Sequence, residues 1–445
     1  MHPYIQNVLR TVKSRNPNEK EFLQAITEVL ESLNPVLPEH PEIEKHNLLE
    51  RICEPERQIL FRVAWERDDG AIEVNRGFRV GFNSVIGPFK GGLRFHPSVN
   101  LSVIKFLGFE QIFKNSLTGL YIGGAKGGAD FDPKGKSDRE VMRFCQAFMD
   151  ELHRHISDKC DIPAGDIGVG NREIGYMFGH YKRLKNRYEM GVFTGKNVAW
   201  GGSLVRKEAT GYGCVYFAQE MMLAHNKDFA GKTAVVSGSG NVALYAIKKL
   251  QELNVKVVAC SDSDGYIYDE QGLNFETLRQ LKEEQRERLS RYVEIHKNAQ
   301  YKAKGNIWEV PCQMAFPCAT QNELDEASAK LLVQNGCILI SEGANMPTTP
   351  EGIAVFQKAG ILYGPGKAAN AGGVAVSALE MQQNAYWSAW SFAEVDAKLK
   401  SIMAHIHKTC VHYSQKYAQR PDDYVLGANV GGFLRVSQAM IAMGF

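Results

Sequence analysis

Residues 232–243, Lys-Thr-Ala-Val-Val-Ser-Gly238-Ser239-Gly240-Asn241-Val242-Ala243, decide the architecture of at least half of this chain. A short β-branched run over 232–237 reads as a buried strand. The glycines turn the chain, and apolar residues at helical spacing follow as far as about Leu253. Gly238-x-Gly240-x-x-Ala243 is a dinucleotide fingerprint. Its first glycine permits the tight turn and its second lets the backbone approach a pyrophosphate. Ala243 lets the helix lie close to the strand, and the helix N-terminus attracts the anion. Alone the pattern is weak. Here it follows a strand and opens a helix, and a second strand over 255–260 runs into Ser261-Asp262, about twenty residues on, where such sites carry their acid.

Working outward, further strands are expected at 312–316, 336–341 and 360–363, with helices between. One helix is expected over the highly charged stretch 276–296. Strand–helix alternation implies a parallel sheet covered on both faces. Before residue 203 the character differs. Residues 1–60 have few glycines, and Phe22, Ile26, Val29 and Leu33 keep helical spacing. Residues 74–82 read as a strand and 100–117 as a helix. Ser137-Asp138-Arg139-Glu140 is a capping box that opens another helix. The helix over about 393–417 is expected to return to the first domain. The fold class is therefore α/β with two domains: an α/β substrate and oligomerisation domain over 1–200, completed by helices of about 376–445, and a Rossmann-type domain over 201–375. The active-site cleft is expected between them.

Three lysines stand in the Gly-rich part of the first domain. They are Lys90 in Phe89-Lys90-Gly91-Gly92, Lys114 in Phe113-Lys114-Asn115, and Lys126 in Ala125-Lys126-Gly127-Gly128. On a helix Leu107, Gln111 and Lys114 share one face, so Gln111 and Lys114 can reach one ligand. Converging lysines suit a small molecule with more than one carboxylate. Their mutual repulsion and burial favour neutral amines and bring a lysine pKa towards about 7–8, the range of acid–base work.

Other chemistries are set aside. The net charge is +2 over 445 residues, with 44% hydrophobic and 23% charged residues, which gives no reason to expect a nucleic-acid or membrane partner. Nine cysteines without a C-x-x-C pair fit reduced thiols in the cytoplasm. No apolar run approaches the ~18 residues of a membrane span, and the first residues lack the order of a signal peptide. Gly135-Lys136-Ser137, Gly231-Lys232-Thr233 and Gly366-Lys367 mimic phosphate loops. The first glycine such a loop requires is replaced by Asp130, Asn226 and Ile361 respectively. His153-x-His155 and His405-x-His407 do not face one another on a helix, so no metal is expected.

The motifs together resemble the hexameric glutamate dehydrogenases of the shorter, bacterial type, over essentially the whole chain. The matching segments are residues 88–97 (PFKGGLRFHP), 123–128 (GGAKGG), 163–170 (PAGDIGVG), 201–213 (GGSLVRKEATGYG), 238–243 (GSGNVA), 317–321 (PCATQ), 341–347 (SEGANMP) and 364–374 (GPGKAANAGGV). The resemblance implies Lys126 as catalytic lysine and Asp166 as its acid–base partner, the one unpaired acid of the pocket. It implies Lys114 and Gln111 on the substrate α-carboxylate, Lys90 and Ser377 on the side-chain carboxylate, and the Gly165 carbonyl on the substrate amine. Thr210, Gly238, Ser239, Gly240, Asn241, Val242, Ser261, Asp262, Ala319 and Asn345 would contact the cofactor. The implied reaction is reversible oxidative deamination of L-glutamate to 2-oxoglutarate and ammonium by a homohexamer. An acid after the second strand ordinarily binds a ribose 2′-hydroxyl, which suits NAD. Ser261-Asp262-Ser263, however, resembles the NADP-dependent members, with Lys282, Arg286 and Arg288 to follow, although Gln285 holds one position that is often basic there. NADP is the expected cofactor and NAD the alternative. Relatives acting on leucine, valine or phenylalanine bind an apolar side chain, beside which Lys90 would be costly.

Overall fold

Helical apolar spacing at the start of the chain makes helices, as expected. The computed structural model describes residues 1–420 and 422–444. It begins with α1 (Pro3–Arg15), α2 (Lys20–Ser32), α3 (Pro41–Lys45) and α4 (Leu48–Cys53). Phe22, Ile26, Val29 and Leu33 are all buried. The chain then forms β1 (Arg57–Glu66), β2 (Ile72–Asn83), β3 (Phe89–Phe95), α5 (Leu101–Leu117), β4 (Gly124–Ala129), α6 (Asp138–Leu152), β5 (Asp161–Gly165) and α7 (Asn171–Lys185). Asn100 caps α5, and Ser137 and Glu140 close both bonds of the capping box on α6.

The five strands lie in the order β1-β2-β4-β3-β5. β1, β2 and β4 are antiparallel neighbours, whereas β3 runs parallel to both β4 and β5. Parallel pairing brings Lys90 on β3, Lys126 on β4 and the residue after β5, Asp166, onto three adjacent strands. The backbones meet so closely that a Cβ on Gly91 would lie 1.6 Å from the Ala125 carbonyl oxygen, so only glycine fits there. Away from these lysines the sheet is held by aromatic packing, with Phe131 stacked on Phe144 at 3.7 Å and Phe95 edge-on to Phe144 at 5.0 Å. Pairs of this kind add about 0.5–1.5 kcal/mol each beyond area burial.

The second sheet follows. Its elements are α8 (Ala209–Ala224), β6 (Thr233–Val236), α9 (Asn241–Glu252), β7 (Lys256–Asp262), β8 (Gly265–Tyr268), α10 (Phe275–Arg279), α11 (Tyr292–Ile295), β9 (Gln300–Ala303), β10 (Met314–Phe316), α12 (Glu326–Gln334), β11 (Leu339–Ser341), α13 (Pro350–Lys358), β12 (Leu362–Gly364) and α14 (Gly366–Ala369). The strand order is β12-β11-β10-β6-β7-β8-β9. The five strands β12 to β7 are parallel, so this part of the sheet is the Rossmann type read from 232–243. β8 and β9 add an antiparallel edge that the sequence reading did not include. The helix expected over 276–296 is broken. α10 gives way to a π-turn over Gln280–Glu284, Arg286 takes φ +58°, and α11 starts afresh. Beyond this break the Leu289 amide bonds the Asp262 carboxylate at 3.0 Å.

Three helices complete the chain: α15 (Gly372–Ala385), α16 (Phe392–Tyr417) and α17 (Tyr424–Met443). Two compact units result. One comprises Met1–Leu204, Val376–Val395 and the chain from Asn429 onward; the other comprises Val205–Ala375 and Asp396–Ala428. This corrects the expectation that all of 376–445 completes the first domain, and that the helix over 393–417 returns to it. Most of α16 packs on the second unit instead. Tyr216 of α8 bonds Asp396 at 2.7 Å, and His407 and Tyr424 pack against Phe217. Among the described residues no helix is long and apolar enough to cross a membrane.

Candidate active site

Lys126 is buried, and it is committed to a cluster with the half-buried Asp166 and Arg94. Its Nζ lies 2.9 Å from Asp166 Oδ1, and its neighbour on the other carboxylate oxygen is Arg94 Nε, 2.7 Å from Asp166 Oδ2. Asp166 is thus not the unpaired acid the sequence suggested, because two cations share it. Burial lowers the Lys126 pKa below its ordinary value; Asp166 opposes the shift, while Arg94 and Arg79 add to it. The neighbours that matter are therefore a carboxylate and two guanidinium groups. Burial pushes the Asp166 carboxyl up, yet Lys126 and Arg94 outweigh it and hold the group ionised, well below the usual carboxylate range.

Arg79 and Asp161 form a second, deeper ion pair with no exposed surface. Arg79 Nε meets Asp161 Oδ2 at 2.9 Å and its Nη1 donates to the Gly91 carbonyl at 3.0 Å. The pair lies across β2, β3 and β5 and ties together the strands that carry Lys90, Lys126 and Asp166. Lys90 is itself completely buried. Its Nζ donates to the Ile162 carbonyl at 3.0 Å and to Thr194 Oγ1 at 2.6 Å. Lys114 and Gln111 are half-buried on α5, with Gln111 Nε2 on Asn115 Oδ1 at 2.6 Å. Asn115 in turn donates to the Lys90 carbonyl at 3.1 Å. Gly165 ends β5, directly before Asp166. Ser377 is buried on α15. The first unit therefore holds Lys90, Gln111, Lys114, Lys126, Gly165, Asp166 and Ser377.

The second unit carries the fingerprint at the switch point of its sheet, where β6 has β7 on one side and β10 on the other. Gly238 takes φ +85°, a conformation that suits glycine. A Cβ there would meet Ala319 at 3.1–3.2 Å, so the loops after β6 and β10 adjoin. At Gly240, the N-cap of α9, a Cβ would meet nothing within 4 Å. The helix start is open, as an arriving pyrophosphate requires. Ser239 is buried beside it, and Val242 occupies the first turn. Asn241 Nδ2 donates to the Lys207 carbonyl at 2.6 Å, and Thr210 lies in the first turn of α8. Asn345 Oδ1 accepts from Asn370 at 3.1 Å. Ser261 Oγ accepts from the Gly238 amide at 2.9 Å. Asp262 spends one oxygen on the Leu289 amide and the other on the Asp264 amide, both at 3.0 Å. Arg288 reaches Ser263 Oγ at 2.7 Å and Asp264 at 3.2 Å. Among the described residues no group of three or more His, Cys, Asp and Glu side chains gathers as a metal site.

These two sets of residues match one family. Its model for the glutamate/leucine/phenylalanine/valine dehydrogenases matches residues 201–444, and the model for the dimerisation domain of the same enzymes matches 55–183. The chain belongs to the Glu/Leu/Phe/Val dehydrogenase family. It is similar to a Helicobacter pylori protein named NADP-specific glutamate dehydrogenase, 57% identical over 99% of this chain and 100% of that one. A Xylanibacter ruminicola protein named NAD(P)-specific glutamate dehydrogenase is 54% identical, over 98% of each chain. The crystal structure of Plasmodium falciparum glutamate dehydrogenase superposes with a TM-score of 0.97 at 54% identity, covering 99% of this chain and 95% of the other.

Within this dehydrogenase family frame, the sequence reading missed Arg94, Thr194 and the pair Arg79–Asp161. Arg94 stood inside the quoted segment 88–97 with nothing to indicate its partner, because Asp166 lies 72 residues away in sequence. Thr194 carried no motif.

Proposed function

We propose that the protein is a glutamate dehydrogenase that works with NADP. The observation that carries the reading is the Lys126–Asp166–Arg94 cluster, on strands adjacent to Lys90, in a chain more than half identical to enzymes of that name over its whole length. Lys90 and Ser377 would hold the side-chain carboxylate, Lys114 and Gln111 the α-carboxylate, and the Gly165 carbonyl the substrate nitrogen. Asp166, ionised beside Lys126 and Arg94, would take the proton of the substrate ammonium. The freed lone pair assists departure of hydride from Cα, for which bound nicotinamide supplies the acceptor. Lys126, whose burial favours the neutral amine, takes a proton from the water that attacks the iminium carbon, and ammonia leaves.

Gly238, Ser239, Gly240, Asn241 and Val242 would hold the pyrophosphate end of the dinucleotide, Thr210 and Ala319 would also contact it, and Asn345 would lie towards the nicotinamide. Asp262 already accepts from two backbone amides, one on each oxygen, which compete with a ribose 2′-hydroxyl for its remaining lone pairs. Ser261 keeps a hydroxyl hydrogen to donate to a 2′-phosphate, which supports NADP. Absorbance at the nicotinamide wavelength with L-glutamate, NADP and NAD in parallel tests the reading. Turnover several-fold more efficient with NADP is expected, with Ser261→Ala costing NADP more than NAD. Preference for NAD would overturn the cofactor reading and leave the glutamate reading standing; no turnover of glutamate would overturn both. A homohexamer in the cytoplasm accompanies this proposal. It is supported by the matched dimerisation-domain model and by nine free cysteines, eight of them buried.

A further inference from the structure

The segment after α7 approaches the side-chain end of the site through Thr194, whose Oγ1 accepts from Lys90 Nζ at 2.6 Å. Thr194 is fully buried, and its own amide bonds the Pro163 carbonyl at 3.1 Å, next to β3 and Lys90. The two residues that follow are held by one carboxylate. Glu380 accepts from the Gly195 amide at 2.9 Å, from the Lys196 amide at 3.3 Å and from Lys196 Nζ at 2.6 Å. Lys196 Nζ also donates to Asn384 Oδ1 at 2.7 Å and to the Phe193 carbonyl. Neither side chain of the ion pair has any exposed surface. Farther along the same segment, Asn384 donates to the Gly201 carbonyl at 2.8 Å and Gln383 to Ser203 Oγ at 2.8 Å.

Glu380, Gln383 and Asn384 all belong to α15, and so does Ser377, one turn before Glu380. Contacts therefore run without a gap from Lys90 through Thr194, Gly195 and Lys196 to Glu380, and from Glu380 along one helical turn to Ser377. We propose that the Lys196–Glu380 pair is a positioning device for substrate choice: it sets Thr194, and through it Lys90, at the distance from Ser377 that a dicarboxylic amino acid requires. The inference rests on the glutamate reading above. Its physical basis is that stability alone does not explain the pair. Taking two charges fully out of water costs several kcal/mol per ion, and well-packed apolar residues often serve a core as well or better. Burial lowers the Lys196 pKa, and the Glu380 carboxylate acts against that shift. What the pair supplies is direction. One carboxylate fixes two consecutive amides and an ammonium, and Gly195 at φ +83° lets the chain turn around it.

The test compares L-glutamate with L-norvaline, whose side chain ends in a methyl group in place of the carboxylate, using NADP and three proteins: wild type, Glu380→Gln, and Lys196→Met combined with Glu380→Gln. The double variant buries no unpaired charge. The single variant keeps one acceptor oxygen, for the Gly195 or the Lys196 amide, and measuring both variants leaves a folded protein to test if the other fails. Folding is checked by thermal melting. The expected result is a rise of about tenfold or more in KM for glutamate with kcat within about threefold, while kcat/KM for norvaline falls no more than about threefold. The ratio of the two substrates then drops by about tenfold, a change that general loosening of the fold does not produce. Equal losses for both substrates, or an unchanged ratio in a folded variant, would overturn the proposal. A wild type that prefers glutamate beside a variant with the same preference sinks only the positioning role. A wild type inactive with glutamate sinks the functional reading on which it rests.

Discussion

Lys126 lies between two opposed influences, and its chemistry depends on their balance. Burial and the guanidinium groups of Arg94 and Arg79 favour the neutral amine; the Asp166 carboxylate favours the ammonium ion. Removing the amine in Lys126→Ala should lower kcat by about 10²–10⁴, the usual worth of a positioned acid–base group. Lys126→Arg should be nearly as damaging, since a guanidinium does not give up its proton at working pH. Stopped or steady-state rates on folded protein check this, and retention of a tenth of the rate or more, a loss below about 1.4 kcal/mol, would be incompatible with the assignment. Arg94 lowers the pKa of both Lys126 and Asp166. In Arg94→Met both should rise. The limb of the pH profile that reports Lys126 deprotonation in kcat/KM for deamination should therefore move to higher pH. A limb that stays in place, or moves to lower pH, would mean that Arg94 does not tune the lysine.

At the scale of elements, two contacts set the positions of strands and helices. β3 and β4 touch at Gly91, where a methyl group would lie 1.6 Å from the Ala125 carbonyl. The obstacle is backbone, which cannot swing aside. Gly91→Ala should cost more than about 3 kcal/mol, beyond ordinary overpacking, and should take activity with it because Lys90 and Lys126 ride on these strands. Denaturant titration of the variant measures it. In the second unit α16 is anchored by His407, which is 4% exposed and packs on Phe217 and Tyr424. Burial, helped by the His225 and Lys408 charges, pushes its pKa down to about 4. The unfolded chain binds the proton nearer pH 6.5, so between these values the unfolded state carries more protons and stability falls as pH falls. The contribution is present in full above about pH 6.5. Its loss towards pH 4 is on the order of 3 kcal/mol. His407→Phe should flatten this part of the stability–pH curve; an equally steep curve in the variant would show that another group titrates.

For the whole molecule, the separation of duties has a thermodynamic consequence. The residues read for glutamate lie in the first unit and those read for the dinucleotide in the second. A ligand that binds only the folded protein stabilises it by mass action, by about 2.7 kcal/mol at one hundred times its Kd. NADP should therefore raise the melting temperature more than NAD does at the same concentration, and Ser261→Ala should narrow the difference. A larger rise with NAD would point to Asp262 holding the ribose despite its bonds to Asp264 and Leu289.

Local pattern was enough for much of this protein. The turn at Gly238 and Gly240, the α5 face with Gln111 and Lys114, and the capping box at Ser137 depend on residues a few positions apart, where periodicity and backbone preference act directly. Lys90 and Lys126 stood out for the same reason, since glycines mark where backbone must come close, whereas Asp166 was singled out only through the family resemblance. Tertiary structure alone decided who pairs with whom. Arg94 meets Asp166, Arg79 meets Asp161 and Lys196 meets Glu380 across separations of 72, 82 and 184 residues, and no local rule specifies a partner at that distance. The helix expected over 276–296 breaks at Arg286, which takes φ +58°, before Leu289 bonds Asp262 27 residues away. α16 joins the second unit through contacts such as His407 on Phe217 and Asp396 on Tyr216, about 180–190 residues apart in sequence. Strand order and helix docking are settled by which distant surfaces bury one another best, and that is a property of the folded chain.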